Sequence, residues 1–254
     1  MKIVAICGSP HKGSCYRVLS TIAEDHPEVE YKLLMLGELN FEPCIGCYAC
    51  IARGEDKCPL KDDRDLVVNE MLDADGVIFA SPVYVNHISA LMKSFIDRIG
   101  YESHRPRFFG KQAMVMAVCG GFGADKAAGY LEDIVTTCGF SVVSKLELKA
   151  STKTAKETAQ NRRKAAAAFD ALVAGIESGQ RNPPELQQVI MFHMFKAISE
   201  AYPDRFPADR RYYQDKTGYY DDAKVSFWKQ MIAKRVVKDY VQGIDTGQAG
   251  PSRR

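Results

Sequence analysis

The sequence lacks features that would place it among proteins that bind nucleic acids or membranes. Its 34 Lys and Arg residues nearly balance its 32 Asp and Glu residues, and a net charge of +2 argues against a protein built mainly to hold nucleic acid. No apolar stretch is long enough to span a bilayer. The short apolar run at the start is broken by Gly8-Ser9-Pro10, unlike a signal peptide. We therefore expect a cytoplasmic protein with neither a nucleic-acid nor a membrane partner.

Catalytic side chains in a familiar arrangement are also missing. The five histidines, at positions 11, 26, 87, 104 and 193, fall at no metal-ligand spacing, and no set of residues resembles a nucleophilic triad. The glycine-rich segment after the first apolar run has neither a P-loop ending nor a G-x-G-x-x-G fingerprint. This shortage fits a protein whose cofactor supplies the chemistry, because the polypeptide then only binds and orients the cofactor.

The bulk composition is that of an ordinary globular protein, with 254 residues of which 46% are hydrophobic and 26% charged. Such a chain can form one domain, or one domain with an appendage. Its eight cysteines point to metal or redox chemistry before disulfides, because the cytosol is reducing. Cys7, Cys119 and Cys138 lie in apolar elements, and we expect these three to be buried in the core.

Apolar runs alternate with amphipathic stretches over the first 180 residues. Strands are predicted at residues 3–7, 29–36, 76–81, 112–119 and 140–148, and helices at residues 16–23, 62–74, 88–99, 126–138 and 155–177. This alternation predicts an α/β fold, an open parallel sheet with helices on both faces. Ligands of such sheets bind beyond the carboxyl ends of the strands. Three loops follow strands there, at residues 8–15, 81–87 and 119–123.

The chain changes character after Asn182-Pro183-Pro184, which divides a domain at residues 1–180 from an extension at residues 183–254. In the extension, helices are predicted at residues 186–201 and 222–241, on either side of an aromatic, turn-rich segment. Both helices have an apolar face that needs a partner surface. They would cover the sheet domain near its ligand edge, form a subunit interface, or serve only as a helical buttress.

Three segments carry a family resemblance. The first is Gly8-Ser-Pro-His-Lys-Gly-Ser14, the second is Ser81-Pro-Val-Tyr-Val-Asn86 with the following Met92–Arg98, and the third is the cysteine-containing stretch from Pro43 to Asp63. Together they resemble the NAD(P)H-dependent FMN reductases and, within them, the iron–sulfur flavoproteins. The resemblance covers residues 1–175. It implies a flavodoxin-like, doubly wound sheet of five parallel strands in the order 2-1-3-4-5, followed by a helical extension.

The resemblance also implies an FMN site built from the three loops. The implied contacts are Ser9, His11, Lys12, Gly13, Ser14 and Cys15 at the phosphate, Pro82, Val83, Tyr84, Val85 and Asn86 along the ring, and Gly120, Gly121 and Phe122 beside it. The family usually has Arg where His11 stands and Ser or Thr where Cys15 stands, so the individual phosphate contacts stay open. Each loop is also consistent with a plain turn. A helix-packing ion pair explains Asp97 and Arg98 better than an acid–base pair does.

The four cysteines Cys44, Cys47, Cys50 and Cys58 are predicted to bind one [4Fe–4S] cluster. Three of them at two-residue gaps place three thiolates in one short loop, and the fourth is followed by Pro59, as in bacterial ferredoxin sequences. A zinc site usually takes two Cys pairs separated by a dozen or more residues. A turn without any metal remains the other alternative.

Three functions follow from these features. In the first, bound FMN takes a hydride from NADPH or NADH and passes electrons to a small acceptor such as a flavin, a quinone or a metal ion. In the second, FMN and the cluster carry single electrons from a ferredoxin-like donor. The third is a zinc-stapled flavodoxin-like module without enzymatic activity. The resemblance further implies a homodimer or homotetramer, while the choice between NADH and NADPH stays open.

Overall fold

The computed structural model describes residues 1–150, 154–179, 181–219 and 224–245. The chain forms two compact units. Unit 1 comprises Met1–Ile45 and Leu60–Arg181, and unit 2 comprises Gly46–Pro59 together with the chain from Asn182 onward. The cysteine-containing segment is therefore shared between the units, because Cys44 belongs to unit 1 while Cys47, Cys50 and Cys58 belong to unit 2.

Unit 1 contains the sheet. Its strands are β1 (Lys2–Cys7), β2 (Glu30–Met35), β3 (Gly76–Tyr84), β4 (His87–Ile88), β5 (Gln112–Cys119) and β6 (Ser141–Lys149). The strand order is β2-β1-β3-β5-β6, all parallel, with β4 paired antiparallel to β3. Without the two-residue β4, this is the order 2-1-3-4-5, and the predicted flavodoxin-like fold is confirmed.

Helices cover both faces of the sheet in unit 1. They are α1 (Ser14–Asp25), α3 (Arg64–Asp73), α4 (Ala90–Arg98), α5 (Ala124–Thr137) and α6 (Ala155–Ser178), while α2 (Ala49–Ala52) belongs to unit 2. Side chains of a strand alternate between the two faces. Val4 and Ile6 of β1 accordingly pack in the core under α3, α4 and α5, whereas Ile3, Ala5 and Cys7 pack in the core under α1 and α6. The predicted burial of Cys7, Cys119 and Cys138 is confirmed.

Strand β3 runs three residues beyond its predicted end at Ser81. Its pairing with β1 stops at Ala80, whereas its pairing with β5 continues to Pro82. A proline lacks the N–H group needed between two partner strands, and it is tolerated where only one partner remains. Beyond it, Val83 and Tyr84 pair with Ile88 and His87 of β4. This small hairpin was not predicted.

Unit 2 contains three further helices, α7 (Leu186–Ala201), α8 (Pro207–Tyr213) and α9 (Phe227–Asp245). The first has the predicted bounds. The second was missed, although Pro207 in its first turn is a helix-start signal. The predicted start of the last helix and the chain end from Gly250 lie outside the described residues. None of the helices among the described residues has the length and hydrophobicity needed to cross a membrane.

The short helix α2, which contains Cys50, packs against α8 within unit 2. Arg211 of α8 donates a hydrogen bond from Nη2 to the carbonyl oxygen of Arg53, over 3.3 Å. Behind α8, the rings of Phe192, Tyr213 and Tyr219 meet edge to face. The C-terminal helices thus supply packing partners for part of the cysteine-containing segment.

Candidate functional site

The three predicted ligand loops meet at the carboxyl ends of β1, β3 and β5, which are neighbours in the sheet. The N–H group of Gly8 donates to the carbonyl oxygen of Ala80 over 2.8 Å. This hydrogen bond joins the first loop to β3, just before the second loop. Gly123 lies against Asn86, so that a Cβ at Gly123 would be 2.6 Å from Asn86 Oδ1. The fold therefore brings all three loops to one edge.

Ser89 joins the first two loops and was not predicted as a site residue. Its Oγ donates to the carbonyl oxygen of Gly8 (2.5 Å) and accepts from the N–H group of Met92 (3.1 Å), and its own N–H group donates to Ser81 Oγ (2.9 Å). The sequence signal was its place before a helix, since serine is a preferred N-cap. Gly8 fits only as glycine, because a Cβ would lie 2.7 Å from Met92 Cβ.

The first loop leads into the N-terminus of α1, where backbone N–H groups are left without intrahelical partners. Ser9 is buried and donates from Oγ to the carbonyl oxygen of His11 over 2.7 Å. Lys12 lies 3.1 Å from Glu38, and this hydrogen bond raises the pKa of the lysine. Arg17, one turn into α1, donates from Nη2 to Ser14 Oγ over 2.8 Å. An anion at this helix end would meet N–H groups and two nearby cations.

Cys15 is a departure from the implied set of phosphate contacts. Its side chain is buried in the core under α1 and α6, beside Cys7. The hydrogen bond with Cys7 and burial both raise the pKa of Cys15. The thiol therefore points into the core as an apolar group, and only the backbone N–H group of Cys15 is left to face the loop.

The second loop is a tight turn with an unusual backbone. Val85 and Asn86, between β3 and β4, have φ values of 49° and 62°. A left-handed conformation is rare for a β-branched residue, and such strain collects at functional sites. The side chain of Val85 is 98% exposed, so no packing holds it there. His87 begins β4 and packs on the ring of Tyr130, with centroids 4.6 Å apart.

The third loop is open on one side. Gly120 and Gly121 have no atoms within 4 Å of the position that a Cβ would occupy, and the ring of Phe122 is 79% exposed. Tyr84 at the end of β3 is also exposed, by 46%. Open backbone beside exposed rings is a surface on which a flat aromatic ligand can lie.

A buried ion pair lies at the C-terminal end of the cysteine-containing segment, within unit 1. Asp62, just before α3, pairs with Arg98 at the end of α4, and each side chain is 1% exposed. The carboxylate also accepts from the N–H groups of Glu42 (2.9 Å) and Arg64 (3.2 Å). Burial alone would raise the pKa of Asp62, but the bonds from Arg98 and the two N–H groups outweigh it and hold the pKa below its usual value.

The pairing at Arg98 corrects the expectation for Asp97 and Arg98. The two residues have different partners in the structure. Asp97 pairs with Lys93, one turn earlier on the exposed face of α4, while Arg98 points inward to Asp62 and to the carbonyl oxygen of Glu42 (3.1 Å). Successive residues of a helix face different directions, so neighbours in sequence take separate partners.

The four cysteines of the predicted cluster are not gathered into a site. Cys44 and Cys47 are exposed, Cys50 and Cys58 are partly buried, and none of the cysteines in the described residues forms a disulfide. Among the described residues, no group of three or more His, Cys, Asp or Glu side chains is placed to hold a metal ion. The thiols fit an iron–sulfur cluster in donor type and number, but their described positions do not converge.

The family comparison agrees with the loop geometry. Residues 1–155 match the family described as NADPH-dependent FMN reductase. The chain belongs to this family. Of the curated relatives, an iron–sulfur flavoprotein of Archaeoglobus fulgidus is 36% identical over 145 residues, which are 55% of this chain and 64% of the relative. An iron–sulfur flavoprotein of Clostridioides difficile is 28% identical over 204 residues, covering 78% of this chain and 89% of the relative.

Another iron–sulfur flavoprotein, from Methanocaldococcus jannaschii, is 43% identical over 103 residues, which are 39% of this chain and 51% of the relative. The chain thus spans only 64% and 51% of two of these relatives. Among solved structures, a flavone reductase aligns with a TM-score of 0.52 and 20% identity, covering 72% of this chain and 66% of the other. RosB with a bound riboflavin-phosphate intermediate aligns with a TM-score of 0.53 and 11% identity, covering 89% and 92%. At such low identities, these structural alignments show a shared fold and nothing about function.

Proposed function

We propose that this protein is an FMN-dependent oxidoreductase that accepts a hydride from NAD(P)H and delivers electrons to a small acceptor such as a flavin or a quinone. The observation that carries the proposal is the meeting of three loops at adjacent strand ends, where a helix N-terminus, an exposed tight turn and an open glycine loop share one edge. Ligands of open α/β sheets bind at this edge. Membership of the NADPH-dependent FMN reductase family supports the same assignment.

The first loop would hold the phosphate of FMN. Its N–H groups at the start of α1 and the positive end of the helix attract an anion, and the cations of Lys12 and Arg17 lie nearby. Ser9 is bonded to the carbonyl oxygen of His11, which fixes the loop before the ligand arrives. Since backbone groups carry most of such binding, the buried thiol of Cys15 and the exposed His11 are compatible with it.

The second and third loops would hold the flavin ring. Tyr84 and Phe122 are exposed aromatic side chains beside the contact of Asn86 with Gly123, and backbone groups of the strained turn are within the same edge. FMN supplies the electron-transfer chemistry when it is bound. The residues of the chain orient the ring, cover its faces and exclude water. No side chain of these loops is needed as an acid or a base.

The second part of the proposal is that Cys44, Cys47, Cys50 and Cys58 hold a [4Fe–4S] cluster. The donor type supports it, and the relatives are named iron–sulfur flavoproteins. Because the described thiols do not converge, cluster binding requires the segment at residues 43–59 to close around the irons. We therefore expect cluster loading to protect this segment from hydrogen exchange. The exchange rates of the N–H groups around the Asp62–Arg98 ion pair should stay unchanged.

The test of the cluster is anaerobic reconstitution with iron and sulfide, followed by visible absorption and by EPR after reduction. Cys47→Ser should lower iron uptake, and Cys138→Ala, which removes a buried thiol from unit 1 outside the cysteine-containing segment, should not. Equal iron uptake by Cys47→Ser and the unaltered protein would rule out the assignment. Bound zinc without iron or flavin would select the non-enzymatic module instead.

The test of the oxidoreductase is a titration with FMN, followed by anaerobic addition of NADPH or NADH. We expect binding at micromolar FMN and bleaching of the flavin absorption by a nicotinamide. Absence of FMN binding would refute the whole proposal. Bleaching by a reduced ferredoxin but by neither nicotinamide would replace the hydride step with the single-electron alternative.

A further inference from the structure

Six large apolar side chains lie exposed along α9, and they include the only tryptophan of the sequence. Their exposed fractions run from 38% to 73%, and the six are Phe227, Trp228, Met231, Ile232, Val236 and Tyr240. Scattered exposed apolar residues are ordinary on a protein surface, whereas a contiguous patch marks an interaction site. Aromatic and Met side chains are also enriched at protein interfaces. The exposed face of α9 is therefore a candidate contact surface.

The opposite face of α9 is already packed within unit 2. Ala233 and Val237, one turn apart, are buried, and the helix packs on α7. Nearby, Gln230 Oε1 lies 2.9 Å from Nε2 of His193, a residue of α7. With about 100° between successive residues, Trp228 lies on the other side of α9. The packing on α7 thus fixes the rotation of the helix and leaves the exposed face to solvent in the single chain.

The exposed face changes in character along the helix. Phe227, Trp228 and Met231 lie in its first two turns. The exposed charges of Arg235 and Asp239 follow in the third and fourth turns. Arg235 is on the same side of α9 as Trp228, because seven residues make almost two full turns. A guanidinium group over an indole ring is attracted to it, but roughly 10 Å of helix axis separates the two residues in one chain. Two copies of α9 that run in opposite directions can bring them together.

An antiparallel pair of α9 helices has a register in which the exposed side chains complement each other twice. When the twofold axis passes between Met231 and Ile232, each residue lies level with the residue at the same distance beyond the axis in the other copy. Each indole ring is then level with a guanidinium group, and each ammonium group is level with a carboxylate. The level pairs are Trp228 with Arg235, Met231 with Ile232, and Lys224 with Asp239, all of them exposed in the single chain. The face therefore carries both halves of a complementary surface.

The size of the face indicates a dimer of moderate affinity. At their exposed fractions, the six apolar side chains present on the order of 500 Å² per copy. A standard interface buries about 800 Å² per partner, including a polar rim around its apolar core. The exposed Lys224, Lys238 and Asp239 supply such a rim. Dissociation should therefore be measurable by dilution through micromolar concentrations, the weak end of the range for interfaces of this size.

We propose that a second copy of this chain docks on the exposed face of α9, with the two α9 helices antiparallel about a twofold axis between Met231 and Ile232. Such an isologous contact is complete with two copies. The family match ends at residue 155, so this contact belongs to the C-terminal extension. It does not depend on the proposed flavin or cluster sites.

Sedimentation velocity of the full chain over a range of concentrations measures the association. Ile232→Asp should raise the dissociation constant at least about a hundredfold, because it places two carboxylates in the desolvated centre of the contact. Leu66→Asp is the matched control, since Leu66 of α3 is about as exposed as Ile232, by 46% against 43%, and lies outside the face. It should associate as the unaltered protein does. Equal loss of association in both variants would show a general effect of the added charge and overturn the inference.

Charge reversal tests the register without disturbing the apolar core. Lys224→Asp sets a second carboxylate level with Asp239 and should weaken the dimer by about tenfold, since two like-charged pairs replace two attractive ones. The double variant Lys224→Asp/Asp239→Lys restores both pairs with reversed signs and should associate within about twofold of the unaltered protein. A double variant as weak as Lys224→Asp would overturn the antiparallel register.

Other occupants of the face would give different results. An unaltered protein that stays monomeric at every concentration would overturn the inference. If that monomer binds vesicles of anionic phospholipid and Trp228→Ala loses this binding, the face serves a membrane surface instead. An oligomer whose mass is unchanged in Ile232→Asp forms through another surface, and this result would also contradict the proposal.

Discussion

Removing the guanidinium of Arg98 should cost the protein more stability than breaking the exposed Lys93–Asp97 pair on the same helix. Both side chains of the Asp62–Arg98 pair are 1% exposed, and loss of one partner from a buried ion pair costs about 3–5 kcal/mol. Two backbone N–H groups would still bond to the carboxylate. We therefore expect Arg98→Met to lower the free energy of unfolding by about 3 kcal/mol at neutral pH, near the bottom of that range.

The stability lost in Arg98→Met should depend on pH, and the pKa of Asp62 gives the direction of that dependence. The pKa of Asp62 is held below its ordinary value of 3.8 in the folded protein. The stability that this lowering contributes is complete above the unfolded pKa and is lost as the pH falls through the lower folded pKa. In Arg98→Met, burial without the cation raises the pKa of Asp62, so the carboxyl group is protonated more easily. The difference in stability between the two proteins should narrow from pH 7 toward pH 4.

Urea unfolding at several pH values measures this difference, with the midpoint and the slope reported separately. Lys93→Met is the matched control, because it breaks the exposed pair with Asp97 on the same helix and should cost no more than about 0.5 kcal/mol. The reasoning is refuted if Arg98→Met loses no more stability than Lys93→Met. A loss that stays constant as the pH is lowered would also refute it, since the buried carboxylate would not be its cause.

Three further predictions concern the loops and unit 2. Gly123→Ala should weaken FMN binding by about tenfold, because φ is +90° and the new Cβ would lie 2.6 Å from a side-chain oxygen; the scale is that of about 1.4 kcal/mol of backbone strain. The matched control is Gly129→Ala, which lies in α5 outside the three loops and meets no atom within 4 Å, and it should bind FMN normally. Fluorescence titration measures both. Arg211→Ala removes the bond from α8 to the α2 region and should speed proteolysis within residues 46–59, as followed by mass spectrometry. Truncation after Gln180 deletes the helices that pack on this segment and should lower iron uptake in reconstitution; unchanged uptake would show that the helices do not support the segment.

Local sequence patterns predicted most of unit 1 because the elements there obey local rules. Alternating apolar strands and amphipathic helices predicted the parallel sheet, and five strands were found close to their expected bounds. Since the carboxyl ends of neighbouring parallel strands share an edge, the pattern also indicated that loops 8–15, 81–87 and 119–123 would meet. The bounds of α7 were predicted correctly for the same reason, because an apolar helix face is visible in the sequence.

The tertiary structure decided features that depend on partners distant in sequence or on the direction of one side chain. Arg98 pairs with Asp62, 36 residues away, although Asp97 is its neighbour. Cys15 is the last residue of the loop at residues 8–15, yet the first turn of α1 points its thiol into the core. A cavity of about 370 Å³, lined in part by Ser14 of α1 and Arg162 of α6, exists only because these two helices pack side by side. The candidate loops and the cysteine-containing segment could be located from the sequence, whereas the partners of individual side chains follow from packing between segments that no local pattern connects.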